Sequence, residues 1–156
     1  MVKYDELDRK ILAALTENSK IMSKELSRKL RIHPNTLLQR LKNLEKEKVI
    51  LKYQAVVDFP KVDKMMQVMM FIKVNMEKPW EEALRPAAKF PEIVSFILMT
   101  GDFDVLAIAR VRDEKHLADL MRRVQATKVV NHTTTHLIVD YYKQPYEYNP
   151  LRYEIQ

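Results

Sequence analysis

The chain has 156 residues, 47% apolar and 31% charged, which suits one compact domain or two small ones and excludes a disordered protein. Zero cysteines exclude a disulfide scaffold, a thiolate nucleophile and any Cys-ligated zinc or iron–sulfur site. The net charge of +6 is uneven: residues 1–58 hold 13 Lys and Arg against 8 Asp and Glu, whereas residues 59–156 hold 14 against 13. A basic front and a near-neutral remainder point the first third of the chain toward a polyanion. No apolar run approaches the ~20 residues of a membrane helix and no signal peptide opens the chain. Membrane and secreted readings fall, and a cytoplasmic place is expected. The single glycine excludes every glycine-rich phosphate loop, since average usage near ~7% would supply about eleven.

In chain order, the first 58 residues read as three short helices and a strand. Over Asp5–Glu17, Leu7, Ile11 and Leu15 form a stripe with Leu12 beside it, and Asp5 and Glu6 suit a helix N-terminus. Asn18-Ser19 signals a turn. A second helix, Ser23–Leu30, buries Leu26 and Leu30. A third follows His33-Pro34, with proline at its first position, and runs to about Lys46 with Leu37, Leu41 and Leu44 inward. Val49–Val57 is β-branched and aromatic and reads as a strand.

Asp58-Phe59-Pro60-Lys61 marks a boundary, because proline interrupts the strand. Beyond it, Gln67–Met76 reads as a strand apolar on nearly both faces. Trp80–Phe90 reads as a helix that Pro86 kinks or splits. Ile93–Met99 and Phe103–Val111 are strands joined through Thr100-Gly101-Asp102, where the sole glycine supplies the positive φ of a tight hairpin. Asp113 caps a helix with the stripe Leu117, Leu120, Met121 and Val124, and Val129–Val139 is the last strand. The order βαββαβ is the ferredoxin-like arrangement, with both helices on one sheet face. Apolar residues on the other face predict a two-fold homodimer. The tail from Asp140 holds Tyr141, Tyr142, Tyr146, Tyr148 and Tyr153, and with Pro145 and Pro150 it forms no single regular element.

Residues 23–50 have helix-turn-helix spacing, and a following strand makes the motif winged. Its second helix would lie in the major groove of double-stranded DNA, offering Asn35, Thr36, Leu38, Gln39, Arg40, Lys42 and Asn43. Asn and Gln pair with adenine, Arg pairs with guanine, and an apolar side chain meets a thymine methyl. Lys24, Arg28, Lys29 and Lys52 are the candidate phosphate contacts, giving affinity without sequence information.

Over nearly its full length the chain resembles the leucine-responsive regulator/AsnC family, the feast/famine regulators. The likeness is carried by Leu7-Asp8, Ile11-Leu12 and Glu25-Leu26. It continues through Thr36-Leu37, Arg40-Leu41, Leu44-Glu45, Val49-Ile50, Tyr53 and Ala55, and through Thr100-Gly101-Asp102-Phe103-Asp104. The resemblance implies a DNA-binding winged helix, a ferredoxin-like effector domain, and dimers that assemble further, commonly to octamers. It also implies an amino-acid effector near Gly101, Asp102, Phe103 and Asp104, with no cofactor. The chain departs from the family pattern at Met22 and His33, which replace better helix caps, at Lys48, which replaces a turn glycine, and at Pro86.

Other chemistry is weaker. His132 and His136 fall on one face of the last strand roughly ~13 Å apart, too far for one metal ion. Asp102 and Asp104 form a possible acid–base pair without a nucleophile and fit turn capping or an effector amine better. Two rival functions remain at this stage. One is a sequence-blind DNA architectural protein. The other is an enzyme resembling sirohaem decarboxylases, which share the fold but for which histidines and arginines are expected near the second strand; Glu92–Met99 contains neither. The expected architecture is therefore α+β: a winged helix-turn-helix domain over residues 1–58, a linker over 59–64, a ferredoxin-like dimerisation and effector domain over 65–140, and a Tyr-rich tail over 141–156. The expected function is a sequence-specific transcriptional regulator and not an enzyme.

Overall fold

Asp5 opens the first helix. Its carboxylate accepts from the Asp8 N–H (2.9 Å), Asp8 returns a carboxylate to the Asp5 N–H (3.3 Å), and α1 (Glu6–Glu17) starts on this closed capping box. The computed structural model describes residues 4–151. Within it, α2 (Ser23–Lys29) and α3 (Pro34–Lys46) complete a three-helix unit. Each helix contributes one apolar stripe, and Ile11, Ala14, Leu26, Leu37 and Leu44 meet in a small closed core. Met22 gives α2 no side-chain cap, but His33 does cap α3: its Nδ1 accepts from the Asn35 N–H at 3.2 Å. That corrects the expectation of weak capping at His33.

Lys48 takes over the missing glycine's task. Its backbone adopts φ 57°, and the Val49 N–H closes onto the Leu44 carbonyl at 2.9 Å. A left-handed residue one step past the helix is the usual way to satisfy the last carbonyls, and here a lysine accepts the steric cost. Arg31 (φ 54°) does the same between α2 and α3.

The strand expected over Val49–Val57 does not form. Residues 51–58 run without a ladder partner, with Leu51 82% and Val56 60% exposed. A strand is stable only when its N–H and C=O groups meet another strand, and the elements of this unit are helices. The chain divides into two compact units, one running to Val57 and resuming at Lys143, the other Asp58–Tyr142. The tail thus belongs with the helices: Asn149 is buried, and its Nδ2 donates to the Ala13 carbonyl (3.1 Å) and to Glu17 Oε1 (3.2 Å). Tyr153 lies outside the described residues.

The second unit begins with a single turn, α4 (Phe59–Val62), where a linker was expected. Then come β1 (Met66–Val74), α5 (Trp80–Leu84), a 3-10 turn (Ala87–Lys89), β2 (Ile93–Leu98), β3 (Val105–Val111), α6 (Glu114–Gln125) and β4 (Val130–Ile138). Pro86 splits the expected helix, since its ring cannot sit inside one. All pairs are antiparallel and the strand order is β2-β3-β1-β4, the ferredoxin-like topology. Strand alternation sends Val68, Met70, Ile72 and Val74, with Val105, Ala107, Ala109 and Val111, toward the helices. Leu84, Ala87, Leu120 and Val124 cover them. The opposite face, turned away from α5 and α6, carries Met69, Phe71, Leu106 and Ile108, all half-buried. Among the described residues no helix is long and apolar enough to cross a membrane.

At the start of β2, Glu92 ties the sheet to α6. Its Oε1 receives Arg123 Nη2 (2.5 Å) and lies 2.8 Å from His116 Nε2. The His116 Nδ1 accepts the Arg112 N–H (3.3 Å), which places the ring proton on Nε2. Burial alone would raise this carboxyl, yet the donated hydrogen bonds hold it at about 2. A folded-state value below the ordinary 4.5 makes the ionised group stabilising above pH 4.5, and that contribution is lost as pH falls from 4.5 toward 2. Glu92→Gln is therefore expected to melt earlier than the parent at neutral pH, with the gap closing on acidification; melting temperature followed by circular dichroism from pH 7 to pH 2 checks this.

Candidate nucleic-acid interface and effector turn

The first unit presents α3 on its surface because only one side of that helix is apolar. Leu37 and Leu44 are buried, while Asn35, Thr36, Leu38, Gln39, Lys42 and Asn43 are all exposed. Leu38, at 51% exposure, is an outward apolar contact and not core. At 3.6 residues per turn, Asn35, Gln39 and Lys42 share the side opposite Leu37. On α2, Lys24 and Arg28 stand one turn apart, with Lys29 adjacent, all exposed, and Lys52 is exposed past α3. Among the described residues none of these four cations is held in an ion pair, so each is free to meet a phosphate.

Arg40, also expected among the base-reading residues, is engaged within the unit. Its Nη1 donates to Asp5 Oδ2 (2.6 Å) and to Asp8 Oδ2 (3.1 Å), which turns the side chain back onto α1. Leu37, Arg40, Leu41 and Leu44 follow the i, i+3, i+4, i+7 spacing, so Arg40 flanks the inner stripe. Two features were not anticipated from the sequence. Arg31 is an exposed cation at the turn between α2 and α3. Tyr53 donates to Glu45 Oε1 at 2.8 Å and so pins the extended segment to α3. Burial, with Glu45 beside it, pushes the Tyr53 phenol up to about 12.

In the second unit, Gly101 sits at φ 115° in the β2–β3 turn, which the Met99 N–H closes onto the Asp104 carbonyl at 3.0 Å. Gly101 and Asp102 are exposed. Phe103 is half-buried, its ring 5.6 Å from Phe71 and 6.3 Å from His132, while Phe71 meets His136 edge-on at 5.6 Å. The two histidines therefore flank an aromatic run on the open sheet face, on a strand as expected. Asp104 points the other way. Its Oδ2 accepts the Val74 N–H (2.9 Å) and its Oδ1 lies 3.1 Å from Lys73 Nζ, so it is buried and fully engaged. The Val74 N–H and then the Lys73 ammonium outweigh burial and hold its carboxyl below the usual range. Asp104, expected among the residues that meet an effector, here braces β1 against the turn.

A helix-turn-helix with a polar outer helix, joined to a βαββαβ unit, defines a two-unit transcriptional regulator that binds DNA. Comparison with known proteins agrees in both halves: residues 4–50 match the winged helix-turn-helix DNA-binding family and residues 67–148 match the Lrp/AsnC ligand binding domain. The chain belongs to the Lrp/AsnC family of transcriptional regulators. It is 34% identical to the leucine-responsive regulatory protein of Haemophilus influenzae, over 90% of this chain and 86% of that one. It is 27% identical to the HTH-type transcriptional regulator FL11 of Pyrococcus horikoshii, over 94% of this chain and 96% of that one. Among solved structures, an AsnC family transcriptional regulator from Agrobacterium tumefaciens superposes with a TM-score of 0.85 at 26% identity, covering 96% of this chain and 99% of that one. A transcriptional regulator from Neisseria meningitidis, crystallised as a complex with L-methionine, gives 0.84 at 25% identity, covering 91% and 94%.

Proposed function

We propose that the chain regulates transcription in the cytoplasm as a homodimer or a larger ring such as an octamer, without catalysing a reaction. It reads double-stranded DNA through Asn35, Thr36, Leu38, Gln39, Lys42 and Asn43, with Lys24, Arg28, Lys29 and Lys52 on phosphates. The observation that carries this reading is the largely polar outer face of α3, interrupted only by Leu38 and flanked by cations that, among the described residues, no carboxylate neutralises. The half-buried apolar face of the sheet and the unpaired residues 51–58 support self-association, because both leave groups that a second copy would cover. The relative solved with L-methionine supports a small amino acid as effector. On this chain we place it at the turn formed by Gly101, Asp102 and Phe103. Selection of bound sequences from a random duplex pool, with and without a panel of amino acids, tests the reading. An enriched two-fold motif whose yield shifts with one amino acid is the expected result. Retention of all sequences alike would mean an architectural protein that wraps DNA without reading it.

A further inference from the structure

We propose that Arg40 is a positioning residue for DNA reading: it fixes α3 against the N-terminal cap of α1 and touches no base. This rests on α3 being the DNA-reading helix. One guanidinium nitrogen serves both carboxylates of the α1 capping box, Asp5 at 2.6 Å and Asp8 at 3.1 Å, and those two residues also bond each other's backbone N–H. The link joins positions 35 and 32 residues apart in sequence, so it is tertiary and independent of the helix's own hydrogen bonds. Only 11% of the Asp8 side chain and 34% of the Arg40 side chain are exposed, so water screens this pair less than it would a surface pair. The Arg40 contact also helps hold the Asp5 carboxyl below its ordinary range, after the Asp8 N–H.

Arg40 cannot reach a base edge without leaving both carboxylates and stranding the nearly buried Asp8 charge. Its position on the helix also lies about 100° away from Gln39, on the side of Leu37 and Leu44. The apolar stripe of Leu37, Leu41 and Leu44 decides which side of α3 faces outward. A two-pronged ion pair from the flank of that stripe fastens α3 to the start of α1, and with it how firmly the outer face is held for docking. Arg40 thereby governs how well every sequence is bound, while the choice among sequences stays with the outer face.

The test uses the full chain, the enriched duplex from the selection experiment and a scrambled duplex of the same length. Arg40→Ala is expected to weaken both by a similar factor of about ten, leaving their ratio and the slope of affinity against salt unchanged. Arg28→Ala, which removes one phosphate contact from each of two copies, should instead lower the salt slope by roughly 1.8. Arg40→Lys keeps a cation for Asp5 and Asp8 and should recover most of the affinity. Asp8→Asn, which keeps an oxygen for the Asp5 N–H and leaves Asp5 to Arg40, should reproduce part of the Arg40→Ala loss on both duplexes alike, and the double variant should be no worse than Arg40→Ala. If Arg40→Ala proves unfolded by circular dichroism, near-parent binding by Arg40→Lys and a partial loss in Asp8→Asn that is equal on both duplexes still support the proposal, and a change of base preference in either overturns it. A loss confined to the enriched duplex, with relaxed choice at one base pair, would make Arg40 a base reader and overturn the proposal, as would unchanged affinity for both duplexes. Gln39→Ala is the separate control: if it alters neither affinity nor base preference, the reading of α3 itself fails, whatever Arg40 does.

Discussion

Leu37→Ala is expected to cost about 2–5 kcal/mol and to abolish DNA binding before it disturbs the sheet. Leu37 is fully buried and sits among Ile11, Ala14, Leu26 and Leu44, a core so small that no neighbour can slide in to fill the space. A loss of that size is a large part of the whole stability of a domain, which is typically 5–15 kcal/mol. The second unit has its own core around Met70, Ile72, Ala107 and Leu120 and does not share this residue. Calorimetry should therefore show the transition of the first unit moved down by many degrees and that of the second nearly in place. A gel-shift titration should lose the complex at the temperature where the first unit melts. A single transition, shifted as one, would mean that the two cores are not separately cooperative.

Ile108→Glu carries the other large effect. Ile108 lies opposite Met69 in the middle of the sheet, on the face turned away from α5 and α6. A glutamate there costs the lone chain little, since that face already meets water, but in a two-fold interface it would bury two like charges without partners. Light scattering is expected to report a monomer where the parent reports a dimer or larger. The affinity for duplex with two half-sites should fall by roughly a hundredfold or more, because the second helix no longer binds at the raised local concentration that tethering gives. An assembly of unchanged mass would remove the sheet face from the self-association surface.

Much of this architecture is written in period and punctuation. The i, i+3, i+4 spacing of leucines marked three helices, runs apolar on both faces marked β1 and β3, and the lone glycine with Pro86 marked a hairpin and a broken helix. What was not legible is long-range or depends on a partner. Val49–Val57 has the residues of a strand, but pairing is a property of two segments, and a single chain gives it none. Asn149 reaches Ala13 across 136 residues, a contact that no local pattern announces. The internal partners of Arg40 and Asp104 were hidden for a related reason. Both carry charge in a motif where charge suggests a ligand, and no local pattern announces the groups that they meet inside the fold. Their partners, Asp8 in α1 and Lys73 in β1, lie about thirty residues away.

The left-handed backbone at Arg31, Lys48 and Lys128 leaves the chain open to improvement. Each is a side chain held where only a residue without Cβ rests easily, at a cost of roughly 1–2 kcal/mol. Glycine at 31 or 48 would relax that strain and raise thermal tolerance, but it would also delete a cation from the very unit that must attract a polyanion. Heat resistance and grip on DNA are thus traded against each other at the same two residues, and a variant selected only for ruggedness should drift toward weaker, less salt-dependent occupancy of its sites.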